Sequence, residues 1–151
     1  MSLNNIEEIS FCIHQDAPKI HCLTNPVTMQ DVANLLLAAG GSAVMGQNEK
    51  EVTEITGFCQ GTLLNTGVPD EAKINACILA GKKANELKHP VVLDPVGIGA
   101  STFRQKAIKN LLAQVHPDLI RCNQEEAAVL CSLFSDSVTP GSHGGVESAL
   151  H

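Results

Sequence analysis

From Lys19 onward the chain alternates short apolar runs with longer amphipathic segments, and this alternation is the tightest constraint on its fold. A strand has to bury an apolar face and a helix an apolar stripe, so repeated strand and helix pairs pack as βα units around a mostly parallel sheet. The pattern predicts strands over 19–25 (KIHCLTN), 42–46 (SAVMG), 62–67 (TLLNTG), 90–96 (PVVLDPV) and 118–123 (DLIRCN). Helices are predicted over Thr28 to Ala39, Glu49 to Cys59, Asp70 to Lys88, Ser101 to Val115 and Gln124 to Phe134, after a first one near Leu3 to His14. In the segment 101–115, Phe103, Ala107, Ile108, Leu111, Leu112 and Val115 recur at three- and four-residue intervals, which gives one apolar face.

The expected fold class is therefore α/β. A length of 151 residues suits one core. Residues 1–134 carry the βα pattern; 135–151, from Ser135 to His151, are rich in Ser and Gly without periodicity and read as a loop-like tail. Four Phe and no Trp or Tyr leave the core to Leu, Ile, Val and Ala.

Ten basic against 16 acidic residues give a net charge of -6, which opposes a phosphate-tracking surface and argues against nucleic acid as a partner. No apolar run reaches the length needed to span a bilayer, and MSLNNIEEIS lacks the regions of a signal peptide, so no membrane partner and a cytoplasmic location are expected. The six cysteines contain no CxxC and read as buried, reduced thiols. The six histidines, His14, His21, His89, His116, His143 and His151, are dispersed without a zinc-binding spacing.

Polar residues collect just past the predicted strands: Asn25, Met45-Gly46, Asn65-Thr66-Gly67, Asp94 to Gly99 and Asn123. Ligands of open α/β sheets bind at that carboxyl edge. The loop DPVGIGAS (94–101) sets a carboxylate and two glycines between a strand and a helix start, where backbone N–H groups approach an anion closely. Asp94 could hold Mg2+, a hard ion that takes oxygen ligands and bridges nucleotide phosphates, or it could cap a turn. The loop matches neither GxGxxG nor the GxxxxGK[ST] phosphate loop.

Glu126 could reach the same edge as a second carboxylate, but Asn123 to Glu126 also has capping-box spacing. Arg121, ending an apolar strand, needs a phosphate, or an ion pair with Asp118, Glu125 or Glu126. Met45 alone reads as core filler. Thr24, Asn25 and Thr28 could bond a ligand or cap the next helix, with Thr28 the local choice for the cap.

Taken together, IHCLTNPVTMQDVAN (20–34), SAVMG (42–46), LLNTG (63–67), AGKKANEL (80–87), PVVLDPVGIGAS (90–101) and IRCNQEE (120–126) resemble the hydroxyethylthiazole kinase family in order and spacing. The resemblance runs from about Ile20 to Cys131, with GGVES (144–148) a weak continuation. It implies a ribokinase-like three-layer sandwich and transfer of the ATP γ-phosphate to the primary alcohol of 4-methyl-5-(2-hydroxyethyl)thiazole, a thiamine salvage step. It further implies Mg2+, ATP as co-substrate, and a homotrimer with sites at subunit interfaces. Carried over by motif, Met45, Asn25 and Gly67 would contact the thiazole, Arg121 an ATP phosphate, and Asp94 with Glu126 the Mg2+.

Three departures accompany the resemblance. Cys122 stands where the family usually has Gly, and Pro26 occupies a variable place in N-x-V-T. The glycine-rich GTGC-type anion hole and catalytic cysteine of the family have no counterpart in the 151 residues. The resemblance therefore implies that the catalytic cysteine would lie beyond His151, and that the chain is a partial domain, inactive or nearly so alone. A non-catalytic binding module and another ribokinase-like kinase, such as one for hydroxymethylpyrimidine, remain the alternatives.

Overall fold

A computed structural model describes residues 3–135, with side chains from residue 5. The tail expected to be a loop up to His151 lies outside the described residues, apart from Ser135. The elements run α1 (Leu3–Asp16), β1 (Lys19–Leu23), α2 (Met29–Ala38), β2 (Ser42–Met45), α3 (Val52–Phe58), β3 (Gly61–Asn65), α4 (Glu71–Leu87), β4 (Val91–Asp94), α5 (Thr102–Leu112), β5 (Leu119–Ile120) and α6 (Gln124–Phe134). A short 3-10 turn at Ile98–Ala100 precedes α5.

The five strands form one sheet in the order β2-β1-β3-β4-β5, and every pairing is parallel. This is the doubly wound 2-1-3-4-5 arrangement, whose chain reverses direction across the sheet between β1 and β3. Right-handed crossovers place α2 on one face and α3, α4 and α5 together on the other. Helix α4 is central to that second face and touches α3, α5, β3 and β4.

Sequence explains this centrality. Ile74, Ala76, Cys77, Ile78, Ala80, Gly81 and Ala84 are buried along α4, and the small residues let the helix lie close to the sheet. A Cβ on Gly81 would sit 2.6 Å from Val115 Cγ1 and 3.2 Å from Leu64 Cδ1, so only glycine fits between helix and sheet there. Leu23, Leu64, Val91, Leu93 and Leu111 complete the core with no exposed surface. In contrast, α2 buries no residue, and Leu35 and Leu37 on it stand exposed.

Several predicted boundaries shift, each for a local reason. The fifth strand shrinks from 118–123 to two residues. Asp118 turns its carboxylate to the Val91 N–H at 2.8 Å, and Asn123 is taken by the next helix as its cap. Helix α3 starts at Val52 rather than Glu49, because Asn48 Oδ1 accepts the Lys50 N–H and holds a turn ahead of it. Thr28 does occupy the N-cap of α2, yet its side chain makes no cap bond and pairs instead with Thr24 Oγ1 at 3.1 Å. The cysteines divide: Cys22, Cys59 and Cys77 are buried, whereas Cys12 and Cys131 are exposed and Cys122 is half-buried.

Candidate functional site

The carboxyl ends of β1, β3, β4 and β5 carry Asn25, Asn65, Asp94 and Arg121, and hydrogen bonds join these four side chains in a row. Asn25 Nδ2 donates to Asn65 Oδ1 at 2.9 Å, Asn65 Nδ2 to Asp94 Oδ2 at 2.9 Å, and Arg121 Nη1 to the same Asp94 oxygen at 3.0 Å. The parallel register puts Asn65 directly beside Asp94.

The row orients itself. An ionised carboxylate only accepts, so the Asn65 amide nitrogen must face Asp94 and its oxygen must face the other way. That oxygen receives Asn25 Nδ2 and also the Gly67 N–H at 2.9 Å. Asn25 is then left with its own oxygen toward the chain that follows, where it accepts the N–H groups of Val27 and Thr28 at 3.0 and 3.3 Å. Gly67 has to be glycine here: a Cβ would lie 2.7 Å from Asn25 Nδ2 and 3.0 Å from Asn65 Oδ1.

Asp94 is buried, and burial raises its carboxyl above the ordinary range; Arg121 and the Asn65 hydrogen bond oppose the rise, while Glu126 adds to it. Its second oxygen, Oδ1, is buried and has no hydrogen-bond partner. An unpartnered buried carboxylate oxygen is costly unless something positive meets it. A hard cation fits that atom.

Glu126 stands on the first turn of α6 and completes a capping box with Asn123. Its Oε2 accepts the Asn123 N–H at 3.0 Å and its Oε1 the Gly97 N–H at 2.7 Å. The Gly97 bond ties α6 to the DPVG loop, and a left-handed φ of 64° at Gly97 aims that N–H. Each Glu126 oxygen keeps a free lone pair, so capping and a contact through water to a metal at Asp94 are compatible.

Arg121 is the exposed end of the row, with its side chain 76% accessible against 9% for Asp94. It pairs with Asp94 and with none of the three acids expected from sequence spacing. Its remaining guanidinium donors face outward. Met45, half-buried at the end of edge strand β2, lies outside the hydrogen-bonded row.

Sequence reasoning noted Asn65 as a polar strand end without giving it a role, although it is the hub of the row. The signal was present: Asn65 and Asp94 each close an apolar run, and the last residues of two adjacent parallel strands are neighbours. Buried Lys73 and half-buried Arg104 were missed altogether. Lys73 Nζ donates to the Gly67 carbonyl and Arg104 Nη1 to the Val96 carbonyl at 2.8 Å, so each holds one of the loops that border the row.

Among the described residues no cluster of three or more His, Cys, Asp or Glu side chains could hold a metal by itself, and no helix is long and apolar enough to cross a membrane. His143 and His151 lie outside the described residues. So does any catalytic cysteine expected beyond His151, and none of the described cysteines is hydrogen-bonded into the row. A groove of about 300 Å3 between α4 and α5, bordered by Ile74, Phe103 and Ala107, holds none of the row's residues.

Comparisons with known proteins agree with this architecture. A hydroxyethylthiazole kinase from Alkaliphilus oremlandii is 41% identical over 143 residues, covering 91% of this chain and 53% of its own length. One from Clostridium acetobutylicum is 49% identical over 124 residues, covering 82% of this chain and 45% of its own. The chain thus spans about half the length of the curated relatives it matches. A solved hydroxyethylthiazole kinase structure from Pyrococcus horikoshii OT3 superposes with a TM-score of 0.82 at 34% identity, over 86% of this chain and 51% of that one.

A receiver domain of the sensor histidine kinase PA1611 from Pseudomonas aeruginosa PAO1 shares the fold alone, at 10% identity and a TM-score of 0.52. The ribokinase-like α/β fold implied by the sequence is the one observed. The profile of the "HK: Hydroxyethylthiazole kinase family" matches residues 11–141, and with relatives and fold in agreement the chain belongs to that family.

Proposed function

We propose that this chain supplies one wall of a site at which the whole protein transfers the γ-phosphate of ATP to the primary alcohol of hydroxyethylthiazole. One observation carries the reading: a row of strand-end side chains that leaves a single carboxylate oxygen, Asp94 Oδ1, buried and unpartnered beside an arginine with free donors. A metal–phosphate pair complements that combination of charges.

In this reading Asp94 and Glu126 are the residues that would hold Mg2+. Held there, the ion would supply positive charge against the phosphates of ATP. Arg121 takes a phosphate of ATP as a bidentate donor. Asn25 and Gly67 border the thiazole, and Met45 contacts it. No described residue is assigned the proton transfer from the alcohol; that role is reserved for a cysteine past His151 in the whole protein.

Residues 1–134 are read as the N-terminal part of the kinase domain and the protein as cytoplasmic. We also assign it a homotrimeric state, supported by an edge strand β2 and a helix α2 that buries nothing while exposing Leu35, Leu37 and nearby Val27. The test is Mg2+-dependent phosphorylation of hydroxyethylthiazole by the whole protein and by its Asp94→Asn variant. The variant is expected to need at least about tenfold more Mg2+ for half-maximal rate. An unchanged Mg2+ dependence, or no thiazole phosphorylation by the unaltered protein, overturns the proposal.

A further inference from the structure

Lys73 is the one lysine buried among the described residues, and it lies on the first turn of α4, one helix start away from the Asn65–Gly67 corner. Its ammonium donates to the Gly67 carbonyl. The N–H of the same glycine is held by Asn65 Oδ1, so Gly67 is gripped from both sides. The next residue, Val68, takes a φ of +49° although it is β-branched and exposed. A β-branched residue avoids that region, and persists there only when its surroundings impose it.

The direction of the Gly67 carbonyl is set by the peptide plane that joins Gly67 to Val68. A hydrogen bond that fixes the carbonyl therefore fixes the plane, and the plane dictates the φ of Val68. From this we infer that Lys73 is a positioning residue, whose ammonium holds the strained Gly67–Val68 peptide and so keeps Gly67 against Asn25 and Asn65 on the thiazole side of the site. The inference rests on the proposed reading of that site for its functional part only.

Two further observations agree. A Cβ at position 67 would stand 2.7 Å from Asn25 Nδ2, so a small movement of this glycine reaches the row directly. Burial also pulls the Lys73 ammonium below its ordinary range, and a buried cation is retained where it meets a fixed acceptor. The groups that act on it electrostatically are Cys77 and Asp70, which favour its charge, and Arg104 from α5, which opposes it.

Lys73→Met keeps the aliphatic stem and removes the donor, and Val68→Gly removes the strain that the donor has to hold. Hydrogen exchange of the Gly67 amide is expected to accelerate at least about tenfold in Lys73→Met, and less than about threefold when the same change is made in a Val68→Gly background. Equal acceleration in both backgrounds would mean that Lys73 acts through packing alone, and the inference would fall.

The unaltered protein offers a check that needs no variant: the Gly67 carbonyl 13C resonance should titrate together with the Lys73 13Cε resonance. Independent titration refutes the clamp. Binding of hydroxyethylthiazole separates the two layers of the claim. Weaker binding in Lys73→Met, restored by Val68→Gly, supports the positioning role, and equal binding by both single variants and the unaltered protein refutes it. If the unaltered protein binds no thiazole while the exchange coupling holds, the clamp stands and the reading of the site is what fails.

Discussion

Replacing Asn65 by Asp tests the logic of the row with a single atom. The change keeps the oxygen that accepts from Asn25 and Gly67 and swaps only the donor that faces Asp94. Two ionised carboxylates would then meet at the 2.9 Å now spanned by the Asn65 to Asp94 hydrogen bond. At an effective dielectric constant of about 20 the repulsion is about 6 kcal/mol. The protein escapes by binding a proton between the two groups, and at pH 7 that costs about 4 kcal/mol, from about three pKa units at 1.36 kcal/mol each.

Because burial already raises the Asp94 carboxyl, the shared proton is easier to bind than that figure assumes. The expected loss of unfolding free energy is therefore about 3 kcal/mol at pH 7 and under about 1 kcal/mol at pH 4, where the proton is nearly free. Urea unfolding of Asn65→Asp and the unaltered protein at both pH values measures it. A loss that is the same at the two values would show that the Asn65 donor does not face an ionised Asp94, and the orientation argued for the whole row would fail.

Acid should weaken the protein through His21. The imidazole is fully buried on β1 with Nε2 2.9 Å from the Gly46 carbonyl and Nδ1 2.8 Å from the Thr56 hydroxyl, and burial lowers its pKa. The unfolded chain then binds the proton first, so stability is complete above pH of about 6.5 and falls as pH drops below it toward the lowered folded value. His21→Gln should remove that part of the slope in a pH series of thermal unfolding curves, and an unaltered slope would refute the assignment. At the end of α4, Lys88 holds a left-handed φ of 59° as the C-cap. Lys88→Gly is expected to raise unfolding free energy by about 0.5–1 kcal/mol in urea titrations, since glycine adopts that conformation without penalty.

What the sequence makes legible follows from what is periodic or local. Among the described residues the alternation of apolar runs and amphipathic segments located the five strands and six α-helices, because most of these elements carry their apolar residues at the spacing of a strand or helix face. The capping box at Asn123 and Glu126 was readable from three-residue spacing alone. Boundaries failed where a side chain from elsewhere took over a backbone group, as Asp118 does for Val91. The row was half legible: Asn25, Asp94 and Arg121 stood out as polar residues ending apolar strands. The ion pair of Arg121 was missed because its partner Asp94 lies 27 positions away in sequence and becomes adjacent only through the β4–β5 pairing. Lys73 gave no signal at all, since a lysine on an amphipathic helix reads as solvated until the loop above it is known.

The placement of the row follows from topology. Sheets of this order open a crevice where β1 and β3 part company, and Asn25 and Asn65 end those two strands. Asn25, Asn65 and Asp94, buried at the end of the sheet, would be expensive without partners, because each has lost its water. Mutual hydrogen bonding offsets that cost along the row, from the Val27 and Thr28 N–H groups through Asn25 and Asn65 to Asp94 Oδ2. The chain of donors ends there. Both side-chain donors that reach Asp94 meet its Oδ2, and Oδ1 is left buried and unbonded. The ion pair with Arg121 accounts for one carboxylate oxygen, but it leaves the other buried without a partner. Retaining an acid there, and raising its pKa by burial, is explicable if the second oxygen serves a cation in the working protein.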